Sequence, residues 1–383
     1  MMKKPTAAYV HIPFCSHICY YCDFAKVLLE GQPVDAYIDA LIDEFRAYDI
    51  QKLKTLYIGG GTPTVLTASQ MKKLLTALTE NLDLKQLKEF TIEANPGDLS
   101  DEMIEVLSKS AVNRISLGVQ TFDEKLLKKI GRTHTPAEVY QSIEKLRAVG
   151  FENITIDLIY ALPGQTMEMV EADLDKFLAL NLPHVALYSL ILEDHTVFMN
   201  RERRGLLHLP NDDKNADMYE YIMARLAENG YEHYEVSNFG KVGYESQHNL
   251  TYWENAEYYG VGAGASGYLD GVRYKNHGPV HHYLEAGKNK RVQEERLSKK
   301  EKVEEEMFLG LRKKSGVSVA GFEKKFNIKF AELYGKQVKE LISRGLLYDD
   351  WEVVRMTNQG FELGNEVFAE FLLDDESILG EDV

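Results

Sequence analysis

Cysteine is almost absent from this chain. Among 383 residues there are three, Cys15, Cys19 and Cys22, all near the start. Three thiols cannot form a paired disulfide framework without a remainder, and they cannot close a structural zinc site, which takes four protein ligands. Long apolar runs are lacking too. No stretch approaches the ~18–20 apolar residues of a membrane span. Met1-Met-Lys-Lys4 leads into a short strand-like run rather than the apolar core of a secretory signal. Positive charge is scarce: 44 Lys and Arg against 60 Asp and Glu give a net charge of −16. A nucleic-acid surface needs basic patches, so that partner class is excluded. The acidic excess is partly local, with seven carboxylates and no Lys or Arg from Glu366 to Val383, which reads as a solvated end. Neither an internal repeat nor a low-complexity linker is present.

What remains is an ordinary core. Hydrophobic residues make up 44% and charged residues 27%, typical of a soluble protein. At roughly 100–200 residues per domain, the length allows two or three domains. Free thiols and the lack of a signal point to the cytoplasm.

The three cysteines stand in His11-Ile-Pro-Phe-Cys-Ser-His-Ile-Cys-Tyr-Tyr-Cys-Asp-Phe24, spaced C-x3-C-x2-C. Thiolates are the ligands of iron–sulfur clusters. Three of them suit a [4Fe–4S] cubane whose last iron is left open to chelate a small molecule. A thioredoxin-like pair would leave the third cysteine unexplained. A zinc ion completed from outside, for example by His17, is the other alternative.

From Thr6 to about Leu192 short apolar strands alternate with amphipathic helices. Strands are predicted at Ala7–His11, Thr55–Gly59, Phe90–Ala94, Arg114–Val119, Ile154–Ile159 and His184–Leu190. Between the first two, Val34, Tyr37, Ile38, Leu41, Ile42 and Phe45 recur at intervals of three and four, one apolar helix face. Weaker helical patterns cover Ala68–Thr79, Asp101–Lys109, Pro136–Val149 and Met167–Leu180, and Gly150 is a fitting stop. Six β-then-α units imply a parallel sheet with right-handed crossovers. The pattern alone does not separate an open sheet from a barrel. Beyond Leu192 the alternation ends. A helix over Asp213–Asn229 is followed by a Tyr-, Gly- and Asn-rich stretch up to Tyr283. Helices at Val303–Leu311, Val319–Lys325 and Ala331–Arg344 then precede a hairpin over Leu347–Arg355, together winged-helix-like. Acidity argues against DNA binding there and for a docking or lid role.

In parallel α/β barrels the working residues sit at the strands' C-terminal ends. Those ends carry Gly59-Gly-Gly-Thr-Pro-Thr64, Glu93-Ala-Asn-Pro96 and Gly118-Val-Gln120, and the fifth strand carries Asp157. Glycine lets backbone approach a ligand, although βα turns use it for positive φ anyway. Glu93 and Asp157 read either as ligand carboxylates or as satisfied polar groups of the barrel.

The cysteine spacing, with Tyr21 before the last cysteine, resembles the radical S-adenosylmethionine (SAM) proteins. The run Tyr9–Cys15, the Gly59–Thr64 loop, Glu93, Gln120, Ile130-Gly-Arg-Thr-His134 and Asp157 occur in the order found in the oxygen-independent coproporphyrinogen III oxidase-like branch. The resemblance implies a partial six-unit (β/α) barrel. It also implies that Tyr9, Tyr21, Gly60, Gly61, Thr62, Glu93, Gln120, Arg132 and Asp157 contact SAM, with Arg132 suited to its carboxylate. Two departures separate the chain from the true oxidase. Phe24 stands where that enzyme has a fourth cysteine, and only fourteen residues precede Cys15. His248-Asn-Leu-Thr-Tyr-Trp253 instead matches the H-N-x-x-Y-W motif of the heme-chaperone members. That match implies His248 as a heme axial ligand and Tyr252 and Trp253 as flat apolar contacts; read without it, the histidine is a packed structural one.

The expected division is therefore a SAM barrel over 1–195 with its cluster loop at 11–24, a connecting region with the heme motif over 196–295, and a winged-helix-like domain with acidic tail over 296–383. The favoured reading is a carrier that binds heme, a [4Fe–4S] cluster and SAM, and passes heme to acceptor proteins. The alternative is an enzyme, oxidative decarboxylation of coproporphyrinogen III. No catalytic residue is assigned, and peripheral contact with a membrane stays open.

Overall fold

The computed structural model describes residues 4–348 and 350–374. The acidic tail beyond 374 and Asp349 of the expected hairpin lie outside the described residues. Six strands form the frame: β1 (Ala7–Ile12), β2 (Thr55–Gly60), β3 (Glu89–Ala94), β4 (Arg114–Gln120), β5 (Ile154–Tyr160) and β6 (His184–Ser189). Each pairs in parallel with the next, as in Ala8 opposite Leu56 and Ile156 opposite Val185. Parallel neighbours need crossovers, and helices supply them: α1 (Val34–Ala47), α2 (Ala68–Thr79), α3 (Asp101–Ser108), α4 (Pro136–Ala148) and α5 (Met167–Leu180). The helices start where local chemistry says they should. Thr67 and Gln70, like Thr135 and Glu138, form reciprocal capping boxes. On α1, Tyr37, Ile38, Leu41, Ile42 and Phe45 are buried against the sheet. Fully burying such a side chain is worth ~1.5–3 kcal/mol, so this one face outweighs the helix's own propensity. The barrel is thus the partial six-unit (β/α) form, and the crossover segments match the predicted bounds within a residue or two.

The stretch after Leu192 differs from its sequence reading. Rather than an irregular connector, it supplies both edges of the barrel sheet. β7 (Glu232–Glu235) and β8 (Asn238–Gly240) extend the sheet beyond β6 in antiparallel fashion, and β9 (Tyr259–Val261) adds a parallel strand outside β1. Strands of three or four residues are too short to show an alternating pattern, and their glycines disguise them further. Gly260, for one, is required because a side chain would collide with the Ser266 carbonyl. A three-stranded antiparallel sheet, Ser266–Leu269, Val272–Asn276 and Arg291–Arg296, follows.

The C-terminal part is α+β. Helices Lys299–Gly310, Val319–Phe326 and Phe330–Ser343 pack around Phe322, Phe330 and Tyr334, and Val317–Ser318 pairs antiparallel to Val353–Val354. It is bonded to the barrel edge. Val236 N–H donates to Arg312 O (2.9 Å) and Lys314 N–H to Tyr234 O (3.0 Å). Among the described residues no helix is long and apolar enough to cross a membrane.

Candidate cofactor site

At the C-terminal mouth of the barrel, β1 runs into the cysteine loop. Phe14–Cys15 pairs with Val27–Leu28, which ties both ends of the loop together. Cys15 is buried; Cys19 and Cys22 are half-buried, and none is in a disulfide. Behind them lies a cavity of about 380 Å³. Eight of the nine residues expected at SAM line it: Tyr21, Gly60, Gly61, Thr62, Glu93, Gln120, Arg132 and Asp157. Tyr9 does not. Its hydroxyl donates to His11 Nδ1 (2.8 Å), because His11 Nε2–H is committed to the Ala25 carbonyl (2.6 Å). Tyr9 therefore steadies the base of the loop.

The three thiols are unequal. Burial pushes Cys15 up to about 11 and raises Cys22. Burial also opposes ionisation of Cys19, but His17 and Arg132 beside the sulfur outweigh it and bring the thiol down to about 7. His17 Nε2 lies 4.0 Å and Arg132 Nη1 3.6 Å from that sulfur. Among the described residues no three His, Cys, Asp or Glu side chains converge closely enough to hold a single metal ion. The thiols surround an opening rather than a point, a donor set that fits a cluster in which each binds a different iron.

The carboxylates deeper in the cavity carry raised pKa values. Burial lifts Glu93 to about 7, against hydrogen bonds from Tyr57 Oη (2.7 Å) and Gly60 N (3.0 Å). Burial lifts Asp157 to about 6, against the Ser116 hydroxyl at 3.1 and 3.2 Å. Both carboxyls are half-buried; Glu93 has no cation beside it and Asp157 only the weaker pull of Arg114 and Arg132, so the pair suits a cationic ligand. Arg132 is already engaged: Nη2 donates to Asn95 Oδ1 (2.7 Å) and to the Gly118 carbonyl, while its buried Nε has no partner. Nη1 faces Cys19 Sγ (3.6 Å), and the enclosed Nε–H is the donor left without a partner. Gln120 sits in a left-handed conformation (φ 68°) at a bulge against β5, local strain of the kind that gathers at functional sites. The glycine loop is demanded by the chain itself. Gly60 has φ 116° and faces the His11 ring, and a side chain on Gly61 would stand 2.6 Å from Phe14 O and 3.0 Å from Cys15 Sγ.

The H-N-x-x-Y-W motif lies at the opposite end. It forms helix Gln247–Trp253, which packs across the N-terminal ends of the strands. Glu89, the first residue of β3, accepts from the backbone of Gln247 (2.8 Å) and His248 (3.0 Å). His248 is buried, neutral because burial lowers its pKa to about 3, and stacked on Tyr57 at 5.1 Å. Its Nδ1 pairs with Thr55 Oγ1 (3.0 Å) and its Nε2 with Tyr252 Oη (2.8 Å). Neither nitrogen is free for iron in this arrangement, which matches the packed structural histidine that the sequence allowed beside the axial-ligand reading. Trp253 does not offer an open face either; Arg312 lies over its ring at 5.2 Å, and the buried Glu235 carboxyl sits beside it. The motif's contribution to the cavity is Asn249, which lines it from the floor together with Ser246. Sequence reasoning missed Asn95, Ser116 and Tyr57, polar partners that hold the ligand candidates. Their only signal was a position beside a strand end or two residues away on the same strand face.

The Radical SAM superfamily model matches residues 9–177, and the HemN C-terminal domain model matches residues 297–363. The chain is 71% identical over 376 residues to the heme chaperone HemW of Lactococcus lactis subsp. lactis (strain IL1403), covering 98% of this chain and 99% of that protein. It is 47% identical over 375 residues to the heme chaperone HemW of Bacillus subtilis (strain 168), covering 96% and 99%. Among solved structures, coproporphyrinogen III oxidase (HemN) from Escherichia coli superposes with a TM-score of 0.83 at 23% identity, over 96% of this chain and 90% of that one. That likeness speaks for the fold alone. Fold and thiol loop together define a radical SAM protein. Within that superfamily, the chain belongs to the HemW family.

Proposed function

We propose that this protein is a heme carrier with a radical SAM site: it holds a [4Fe–4S] cluster on Cys15, Cys19 and Cys22, binds SAM in the cavity below, and passes heme to an acceptor protein. The observation that carries the cofactor part is the set of three thiols lining a cavity that also holds two half-buried carboxyls, neither in an ion pair. Tyr21, Gly60, Gly61, Thr62, Glu93, Gln120 and Asp157 would contact SAM there, and Arg132 would meet its carboxylate through Nε. When bound, the cluster supplies one-electron chemistry to SAM. The chain's own part is to hold and shield. Gly60 and Gly61 keep the floor of the loop narrow, Glu93 and Asp157 favour positive charge, and Arg132 lowers the cost of the Cys19 thiolate.

The carrier part rests on the family and on the absence of a fourth cysteine, where Phe24 stands. His248 and Tyr252 would contact heme only with the helix Gln247–Trp253 displaced, since His248 is bonded to Thr55 and Tyr252, and Arg312 lies over the Trp253 ring. The test is one sample, reconstituted anaerobically, then titrated with heme and assayed with coproporphyrinogen III. Saturable heme binding without decarboxylation is expected. Decarboxylation without saturable heme binding would establish the oxidase reading instead.

A further inference from the structure

The eleven histidines of this chain fall into separate classes. His11, His134, His184, His233 and His248 are buried or half-buried and hydrogen-bonded through at least one ring nitrogen. His17 is held beside Ser16, Thr133 and Cys19. His195 and His208 are exposed, and among the described residues neither pairs with another ring. His277, His281 and His282 differ in standing together. His281 and His282 are exposed and His277 half-exposed. Their ring centroids lie 4.1 Å (His281 to His282) and 6.3 Å (His277 to His282) apart. Among the described residues none of their ring nitrogens makes a hydrogen bond. Nor do they form, with any other His, Cys, Asp or Glu among the described residues, a group that could hold a bare metal ion. Three imidazoles in one place with unbonded nitrogens can offer a donor to a ligand that brings its own metal with four positions filled and needs one more. A heme iron is such a ligand, and one imidazole suffices.

The position of the trio supports the same conclusion. Gly264 N–H donates to His277 O (2.9 Å). A side chain on Gly264 would lie 2.5 Å from Ala25 Cβ and 3.6 Å from Gly278 Cα. The His277–Gly278 turn therefore stands against Ala25, the residue after Phe24 in the cysteine loop. On that loop Phe24 is 63% and Leu28 49% exposed, and Phe24 stands at the mouth of the cofactor cavity. Lys275 and Lys288, on the segments flanking the trio, are exposed as well, and ammonium groups suit propionates. We propose that the cargo heme docks on this rim, its face on Phe24 and Leu28 and its iron on an imidazole of His277, His281 or His282. The inference rests on the carrier reading and names its docking site. Loosely held, interchangeable imidazoles suit a carrier, because cargo must leave again.

The test is a heme titration of full-length, anaerobically reconstituted protein, followed by its Soret band, with three variants in parallel. The triple change His277→Ala, His281→Ala and His282→Ala, all on the surface, should leave the melting curve in place. It should weaken heme binding roughly tenfold or more and shift the Soret band, because the axial nitrogen is lost. Phe24→Ser should weaken binding with the band position kept. His248→Ala should leave the Soret position unchanged. A triple variant that titrates like the parent, with the same Soret band, overturns the rim site while leaving the carrier reading intact. A parent protein without saturable heme binding takes down the carrier reading, and the rim with it.

Discussion

The two ends of this barrel use similar residues to opposite ends. At the C-terminal mouth, Glu93 and Asp157 are half-buried with raised pKa values, Arg132 keeps an unpartnered Nε, and three thiols stand unbonded to one another. At the N-terminal floor, Glu89 accepts from two backbone N–H groups, His184 is bonded by Thr155 and Tyr234, and His248 by Thr55 and Tyr252. Buried polar groups normally find partners. Where they do not, the unmet capacity marks a place for a ligand; where all are met, the same residues mark a joint. The floor is mostly such a joint: Trp253 Nε1 and Glu235 Oε2 are left without partners, but the other groups are met, the motif helix closes the barrel and its Trp253 reaches Arg312 of the C-terminal part.

The largest effect should come from the mouth. Cys19→Ala is expected to abolish cluster assembly, taking the reconstituted protein from about four irons and four sulfides per chain to near none. Metal analysis reads it, and full iron retention would remove the thiol loop from the comparison. Next, Asp157→Ala should leave iron content nearly intact while weakening SAM binding roughly ten- to a hundredfold, the worth of one charge-assisted contact. Equilibrium dialysis is the check, and unchanged affinity would mean that Asp157 is a satisfied barrel group after all. Gly60→Val is a poorer probe, because with φ 116° and His11 in the way it should damage folding before it reports on SAM.

The floor should answer in stability. His248→Ala leaves Thr55 and Tyr252 without their shared partner, and a cost of about 1–3 kcal/mol is expected, seen as a lower melting temperature. If the melting curve stays put and heme affinity collapses, the motif is a ligand site and the contrast between the two ends fails. The smallest effect concerns pH. Glu93 has a folded pKa of about 7, above its unfolded value near ~4.3. The folded state therefore binds more protons, and stability falls as pH rises between those two values. A cationic ligand favours the ionised form, so SAM affinity should rise several-fold as pH climbs through about 7, and Glu93→Gln should flatten that rise.

Much of the mouth could be read from the chain because its residues are local. Cys15, Cys19 and Cys22 lie in one eight-residue span; Gly60 and Gln120 end strands, Glu93 precedes a strand's last residue and Asp157 sits mid-strand, all on strands whose apolar run is visible. The floor could not be read this way. His248 meets Thr55 across 193 positions and Glu89 across 159, and the three-residue strands β8 and β9 carry no periodic signal. The motif's spelling was legible, but its surroundings were not.

By itself, then, the sequence determined the β/α alternation, the parallel sheet and the three-thiol donor set, because periodicity and spacing act over a few residues. Only the tertiary structure decided which polar groups are spent and which are free. His248 and His282 are the same residue in sequence. One is enclosed by strands β2 and β3 with both nitrogens bonded, the other stands on the rim with neither, and that difference comes from contacts between segments far apart in the chain.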